Sequence, residues 1–134
     1  MTFPYLDLSR GGVIRAKPII PIRFHGPQGF RQIVALVDSG AEHSVVSIEL
    51  IESLGLPTKN AQAVEVIGVG GHAGRGYLLD VEHQLGNHHW NAPAIFSDVM
   101  DSQSPMIMAQ AGFFEFFTVT FKRRKLLMDI RRAR

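Results

Sequence analysis

The chain contains no cysteine. Disulfides, thiol nucleophiles and thiolate metal sites are excluded by that absence, and a reducing compartment is compatible with it. No apolar run approaches the length that crosses a bilayer. Met1 to Gly12 holds no basic stretch followed by an apolar block, so no secretory signal is expected. Internal repeats and low-complexity tracts are missing too. The one glycine-rich stretch has no Gly-Lys-Ser/Thr ending, which removes a phosphate-binding loop of that type. These absences leave a soluble domain, expected in the cytoplasm. With 134 residues, 46% of them hydrophobic, the chain has material for one core and no second.

The net charge of +2 hides an asymmetry. After Phe121, seven basic residues (Lys122, Arg123, Arg124, Lys125, Arg131, Arg132, Arg134) face one acid, Asp129, giving +6 and leaving −4 for the rest. A basic end can touch nucleic acid or anionic lipid. No aromatic residue interleaves these charges, so no base-stacking platform is visible. We read a solvated turn and terminus, and expect no nucleic-acid or membrane partner.

Strand patterns dominate. Lys17 to Phe24 reads as a strand in which Pro21 requires an edge or a bulge. Residues 25–29 make a turn, and Phe30 to Val37 returns to complete a hairpin. Ser47 is placed to cap a helix over Ile48–Leu54, closed by Gly55 and stopped by Pro57. Ala61–Val69, Tyr77–Val81 and His88–Phe96 read as strands. Met106–Met108 is a short apolar run. A helix is favoured over Gln110–Phe117, followed by strands at Thr118–Phe121 and Leu126–Ile130 around a turn at Lys122–Lys125. The sum is a mainly β domain with one or two short helices.

The strand ending at Val37 runs into Asp38-Ser39-Gly40-Ala41. A carboxylate at the end of a buried strand requires donors or a titrating partner, because an unpaired buried charge is costly. Ser39 supplies a hydroxyl, and Gly40 permits a tight turn. Gly68-Val69-Gly70-Gly71 follows within a segment of five glycines in nine residues, from Gly68 to Gly76. Met106-Ile107-Met108-Ala109 comes third.

Taken together and in this order, the three elements resemble those of retropepsin-like aspartic proteases of the single-domain, bacterial type. The resemblance spans roughly residues 17–130. It implies a closed β-barrel of the acid-protease fold with one catalytic Asp per chain. Residues 1–16 are then an N-terminal segment, expected to be partly disordered, and residues 131–134 a basic tail. It further implies an aspartic endopeptidase in which Asp38 is the catalytic acid/base, supported by Ser39 and Gly40. Ala41 would line the substrate, and Val69, Gly70 and Gly71 would form the tip of a flap closing over an extended peptide. Glycines 74 and 76 would let that flap bend. Water is the nucleophile, so no metal or organic cofactor is expected. The family's short members obtain their second carboxylate by forming a homodimer, and the same is expected here. One departure stands out: the family usually has glycine where this chain has Ala109. A methyl group is tolerated there if the backbone dihedrals are ordinary. A second reading keeps the fold without the chemistry, as a dimerisation or peptide-binding module.

Other candidates compete. His83, His88 and His89 could join Asp80 or Glu82 around a metal, but His88 and His89 would face opposite sides of a strand. We read all three as surface histidines. His43 reads as a loop residue facing solvent or packed in the loop. The Phe113, Phe114, Phe116 and Phe117 cluster reads as core or dimer contact, and Trp90 as core or half-buried.

Overall fold

The computed structural model describes residues 1–8, 15–67, 71–100 and 105–134. In chain order the elements are β1 (Thr2–Pro4), β2 (Leu6–Asp7), β3 (Ala16–Lys17), β4 (Ile19–Gly26), β5 (Gly29–Val37), β6 (Val45–Ser47), α1 (Glu49–Leu54), β7 (Gln62–Ile67), β8 (Ala73–Leu85), β9 (His88–Ser97), β10 (Met106–Met108), β11 (Phe117–Lys122) and β12 (Leu127–Arg132). A 3-10 turn at Arg123–Lys125 joins the last two.

The largest sheet runs β4-β5-β10-β6-β9-β8-β7. It closes into a ring because β4 also pairs with β8, through Arg23–Gln84, Phe24–His83 and His25–Glu82. Closure removes most free strand edges. β7 hangs outside the ring as the partner of the first half of β8. Pro21 fits because it lies on the part of β4 that pairs with β5 alone, opposite Val34. Its missing N–H therefore costs no ladder bond.

Alternation in β4, β5, β8 and β9 sends Ile20, Ile22, Phe24, Ala35, Val37, Val81, Leu85, Trp90, Ala92 and Phe96 inward. Their burial removes apolar surface from water, the main favourable term in folding. The helix begins one residue later than the capping pattern predicts. Ile48 is its N-cap, while Ser47 Oγ accepts the Glu49 N–H at 3.3 Å. Gly55 closes it at φ 69°, a left-handed conformation.

The helix favoured over Gln110–Phe117 does not form. Gly112 adopts φ +100°, and a Cβ there would sit 2.9 Å from the Pro93 carbonyl oxygen. The Gly112 carbonyl accepts the Trp90 indole N–H at 2.8 Å, and its own N–H donates to Glu115 Oε1 at 2.9 Å. Tertiary partners have taken the backbone groups a helix would use. Turns carry the chain directly into β11. Phe113 and Phe117 are buried, with Phe114 and Phe116 packed against the core.

The two ends of the chain meet in a separate sheet ordered β1-β12-β11. The terminal ammonium of Met1 donates to the Ile130 carbonyl at 2.9 Å. Thr2 Oγ1 donates to Asp129 Oδ1 at 2.6 Å, and Lys122 Nζ lies 2.6 Å from the other oxygen of that carboxylate. The Lys122 hydrogen bond, then the one from Thr2, hold Asp129 below the ordinary carboxylate range. Arg131 and Arg132 continue β12 opposite Thr118 and Phe117. The Arg132 guanidinium lies over the Phe116 and Phe117 rings. No helix among the described residues is long and apolar enough to cross a membrane.

Candidate active site

β5 delivers Asp38 to the end of the ring. β10 runs parallel to β5, with Ile107 opposite Leu36, and antiparallel to β6, with Ile107 opposite Val45. The third sequence element is therefore wedged between the two strands that flank the Asp38 loop. The Asp38 N–H donates to the Met108 carbonyl at 2.9 Å. Beyond it, the Gln110 and Ala111 N–H groups donate to the Ala41 and Glu42 carbonyls at 3.0 and 2.8 Å. The loop from Asp38 to Glu42 is thus held along its length by the segment that follows β10.

Within the loop, Gly40 N–H donates to Asp38 Oδ1 at 2.9 Å, and Ala41 N–H to the Asp38 carbonyl at 3.3 Å. A Cβ on Gly40 would stand 3.3 Å from that same Oδ1. Glycine lets the backbone approach the carboxylate this closely. Asp38 and Ala41 are half-buried, whereas Ser39 and Gly40 are exposed. One side of the carboxylate is held by an amide. Among the described residues no side-chain donor satisfies the other.

Ala109 is wholly buried. Leu126 is the one non-glycine residue with positive φ among the described residues, so the Ala109 backbone is ordinary and its methyl group carries no dihedral strain. Its N–H donates to Ser44 Oγ at 3.0 Å, and that hydroxyl reaches the Ala111 carbonyl at 3.4 Å.

Two supports of the loop escaped sequence reasoning. Ser44 is the first. The second is Gln110, whose Nε2 donates to the Ser39 carbonyl at 2.7 Å. A polar residue directly after the apolar run Met106–Ala109 is the only local signal for it.

The glycine-rich hairpin joins β7 to β8. Of its expected tip, Val69 and Gly70 lie outside the described residues. Gly71 has φ +80°, and a Cβ added there would meet nothing within 4 Å, as a free turn requires. Glycines 74 and 76 are not hinges. Both sit within β8, paired with Val66 and Val64. A Cβ at Gly74 would fall 2.1 Å from Val99 Cγ1, and one at Gly76 would fall 2.7 Å from the Phe96 carbonyl oxygen. They are glycine because neighbouring chain passes too close for a side chain. A groove of about 540 Å³ lies along this hairpin, between Ala63–Glu65 and Ala73–Tyr77.

The histidines separate by face. His83 is not a surface residue: it is completely buried, edge-on to Phe24 at 4.7 Å and stacked on Trp90 at 5.0 Å. Its Nδ1 lies 2.9 Å from the Val81 carbonyl. A carbonyl only accepts, so Nδ1 carries the hydrogen and Nε2 is bare and without a partner. Burial pushes its pKa down to about 4, outweighing an upward pull from the Val81 carbonyl. His88 is half-buried and His89 exposed.

Comparison with known proteins fits this geometry. A family model described as aspartyl protease matches residues 20–110. That is more than half of the chain, and the chain belongs to this family. It is an aspartic-type endopeptidase with a retropepsin-like fold. Among solved structures it is similar to EIAV protease in complex with an inhibitor, at 16% identity and a TM-score of 0.51, covering 77% of this chain and 88% of that one. It is also similar to a retropepsin-like aspartic protease from Rickettsia conorii, at 14% identity and a TM-score of 0.51, covering 90% and 98%. Comparison with curated proteins gives no match.

Proposed function

We propose that two copies of this chain assemble about a two-fold axis and bring their Asp38 carboxylates together as one catalytic dyad. The observation that carries this reading is the half-satisfied Asp38: a single Asp-Ser-Gly per chain, held from behind by Gly40 and open in front. Peptide hydrolysis by this route needs two carboxyl groups in opposite protonation states. The ionised one takes a proton from water, whose oxygen attacks the scissile carbonyl carbon. The protonated one donates to the carbonyl oxygen. Collapse of the tetrahedral intermediate then breaks the C–N bond as the amine nitrogen takes a proton.

Proximity creates that pair of states. In the aspartic proteases that typify such dyads the carboxyl groups lie about 3 Å apart. At an effective dielectric of about 20, two charges at that distance repel by about 5 kcal/mol. The repulsion spreads the two ionisations, so the pair holds one proton through a mildly acidic window. Ser39, exposed beside Asp38, would bond across the axis and fix the two loops. An extended peptide would lie between Ala41 and the β7–β8 hairpin, adding its backbone as a strand. Gly71, together with Val69 and Gly70, would close over it.

The test combines assembly and chemistry. The protein and its Asp38→Asn form are sedimented, then assayed on a mixed peptide library between about pH 4 and 7. General acid–base catalysis contributes about 10²- to 10⁴-fold, so cleavage should fall at least a hundredfold in Asp38→Asn. Both forms should sediment as dimers. Cleavage by a strict monomer, or undiminished cleavage by Asp38→Asn, would refute the shared dyad.

A further inference from the structure

The seam that closes the ring presents two faces. Antiparallel partners point the same way, so the row Phe24–His83–Trp90 faces the core. The flanking rows, Arg23–Gln84–His89 and His25–Glu82–Asn91, therefore face outward. His25 stands directly across from Glu82. His89 is the diagonal neighbour of Glu82 on the other side, because Glu82 pairs with Asn91. Three strands thus bring two imidazoles to one carboxylate. One ligand atom from each of the three residues lies within 4.8 Å of the others.

We propose that His25, Glu82 and His89 form a binding site for a divalent transition ion of the zinc type. The donor set is the first reason: two imidazole nitrogens and one carboxylate oxygen suit such an ion, whereas calcium and magnesium take oxygen ligands. Ring orientation is the second. Gln84 Nε2 donates to the Gly86 carbonyl at 2.9 Å, which turns Gln84 Oε1, an acceptor, toward His25 Nε2 at 2.7 Å. His25 therefore carries its hydrogen on Nε2 and keeps a free lone pair on Nδ1. His89 presents Nδ1 to Glu82 Oε2 at 2.8 Å, so those two donor atoms already converge and an ion would displace the proton between them, while His25 is held from outside the trio by Gln84. Holding a ring by its second nitrogen is how protein metal sites fix a ligating histidine.

Access is the third reason. His89 and Glu82 side chains are 48% and 43% exposed, so both can rotate toward a shared ion. Zinc–nitrogen bonds are about 2.0–2.1 Å, which requires the donors to close by roughly an ångström or more from their ion-free spacing. The remaining coordination positions would be filled by water.

The site is not part of the candidate catalytic machinery. His25 pairs with Phe30, and about eight residues of β5 separate Phe30 from Asp38, some 26 Å at strand rise. An ion here would tie β4 to β8 and β9 across the three-pair seam that closes the ring. It would act on stability and not on bond cleavage, and the inference holds whatever becomes of the proposed dyad.

Zinc ion itself is the probe, titrated calorimetrically into the metal-free 134-residue chain at neutral pH, with melting temperature followed in parallel. The expected result is one zinc per chain and a rise in melting temperature, since an ion that binds only the folded state stabilises it. His89→Ala and Glu82→Gln alter exposed side chains and should fold. Each should weaken binding by about tenfold or more and remove the rise. His88→Ala and His72→Ala, which alter histidines outside the trio, should bind as the parent does. No binding by the parent, or loss of binding in the two controls with His89→Ala unaffected, overturns the site.

Discussion

Strand β8 is projecting at one end and embedded at the other. Its first residues, Ala73 to Leu78, pair with β7, and that hairpin exposes Ile67 and Tyr77. Its last residues, from Leu79 on, pair with β9, and Glu82 to Gln84 pair with the closing strand β4 as well; Val81, His83 and Leu85 are all buried. One edge of the strand is shared in turn by β7 and by β4. A single rigid element can therefore carry both the part that would cover a substrate and the part that holds the ring shut. Opening energies within a fold follow burial and contact density, so the two ends should differ sharply in how they respond to change.

The embedded end should show the largest effect, through His83. Its pKa is about 4 when folded and about 6.5 when free. Between those values the unfolded chain binds the extra proton and the folded one does not. Stability must therefore fall as pH drops from about 6.5, with the loss complete near pH 4. A shift of this size corresponds to about 3 kcal/mol. His83→Met fills similar space without titrating. Its denaturant-unfolding free energy should lack about that much of the parent's decline between pH 6.5 and 4. Identical slopes for the two proteins would show that the embedded end is not what limits acid stability. In an enzyme proposed to work in mild acid, this buried ring would cost stability at the acidic end of the range.

Next comes the junction between the two ends. Gly76 is the first of three residues, with Tyr77 and Leu78, at which β8 pairs with β7 and β9 at once; it lies opposite Val64 and Ser97. A methyl group there meets the Phe96 carbonyl oxygen at 2.7 Å and Ile95 Cγ2 at 3.0 Å. Overpacking of this kind costs about 1–3 kcal/mol. Gly76→Ala should lower unfolding stability by that amount. A neutral result would mean that the hairpin can shift on the ring, and the contrast between the ends would then be one of degree.

Local pattern carries much of this architecture, and long-range register carries the rest. The β4–β5 hairpin, the Asp38 turn and the Gly55 helix end follow from alternation and turn chemistry within a few residues. The inward row Val81, His83, Leu85 is also legible, because its period of two simply continues the pattern of Tyr77–Val81. A strand that stops at Val81 leaves His83 on the surface. That reading lets polarity outweigh periodicity, and the fold reverses the weighting by packing the ring edge-on to Phe24 and stacked on Trp90. Glycines 74 and 76 illustrate a different limit. A glycine needed for hinge freedom and one needed for close approach read alike, and only the position of Val99 and Phe96 separates them. The His25–Glu82 pairing and the Gln110–Ser39 bond join segments far apart in sequence, and no periodicity within either segment encodes them. Gly112 is invisible as a helix breaker for the same reason, since its partners are Trp90 and Pro93.

The smallest stability effect belongs at the projecting tip. Gly71 holds φ +80° in open space, so Gly71→Ala brings no collision, only the conformational penalty of a left-handed turn. That penalty is about 1 kcal/mol where the chain is held, and less where the turn can relax. Because a Cβ at Gly71 meets nothing within 4 Å, the melting temperature should move by about 3 °C at most. Peptide cleavage should respond more. A stiffer, displaced tip closes less readily over a bound strand, so kcat/KM should fall severalfold while unfolding stability stays near the parent value. The paired readout is what tests the contrast within β8: a substitution that disturbs activity without stability at one end, and one that disturbs stability first at the other. Should Gly71→Ala instead lower the melting temperature as far as Gly76→Ala does, the hairpin would be an integral part of the ring, and the proposed closing motion would have no independent element to perform it.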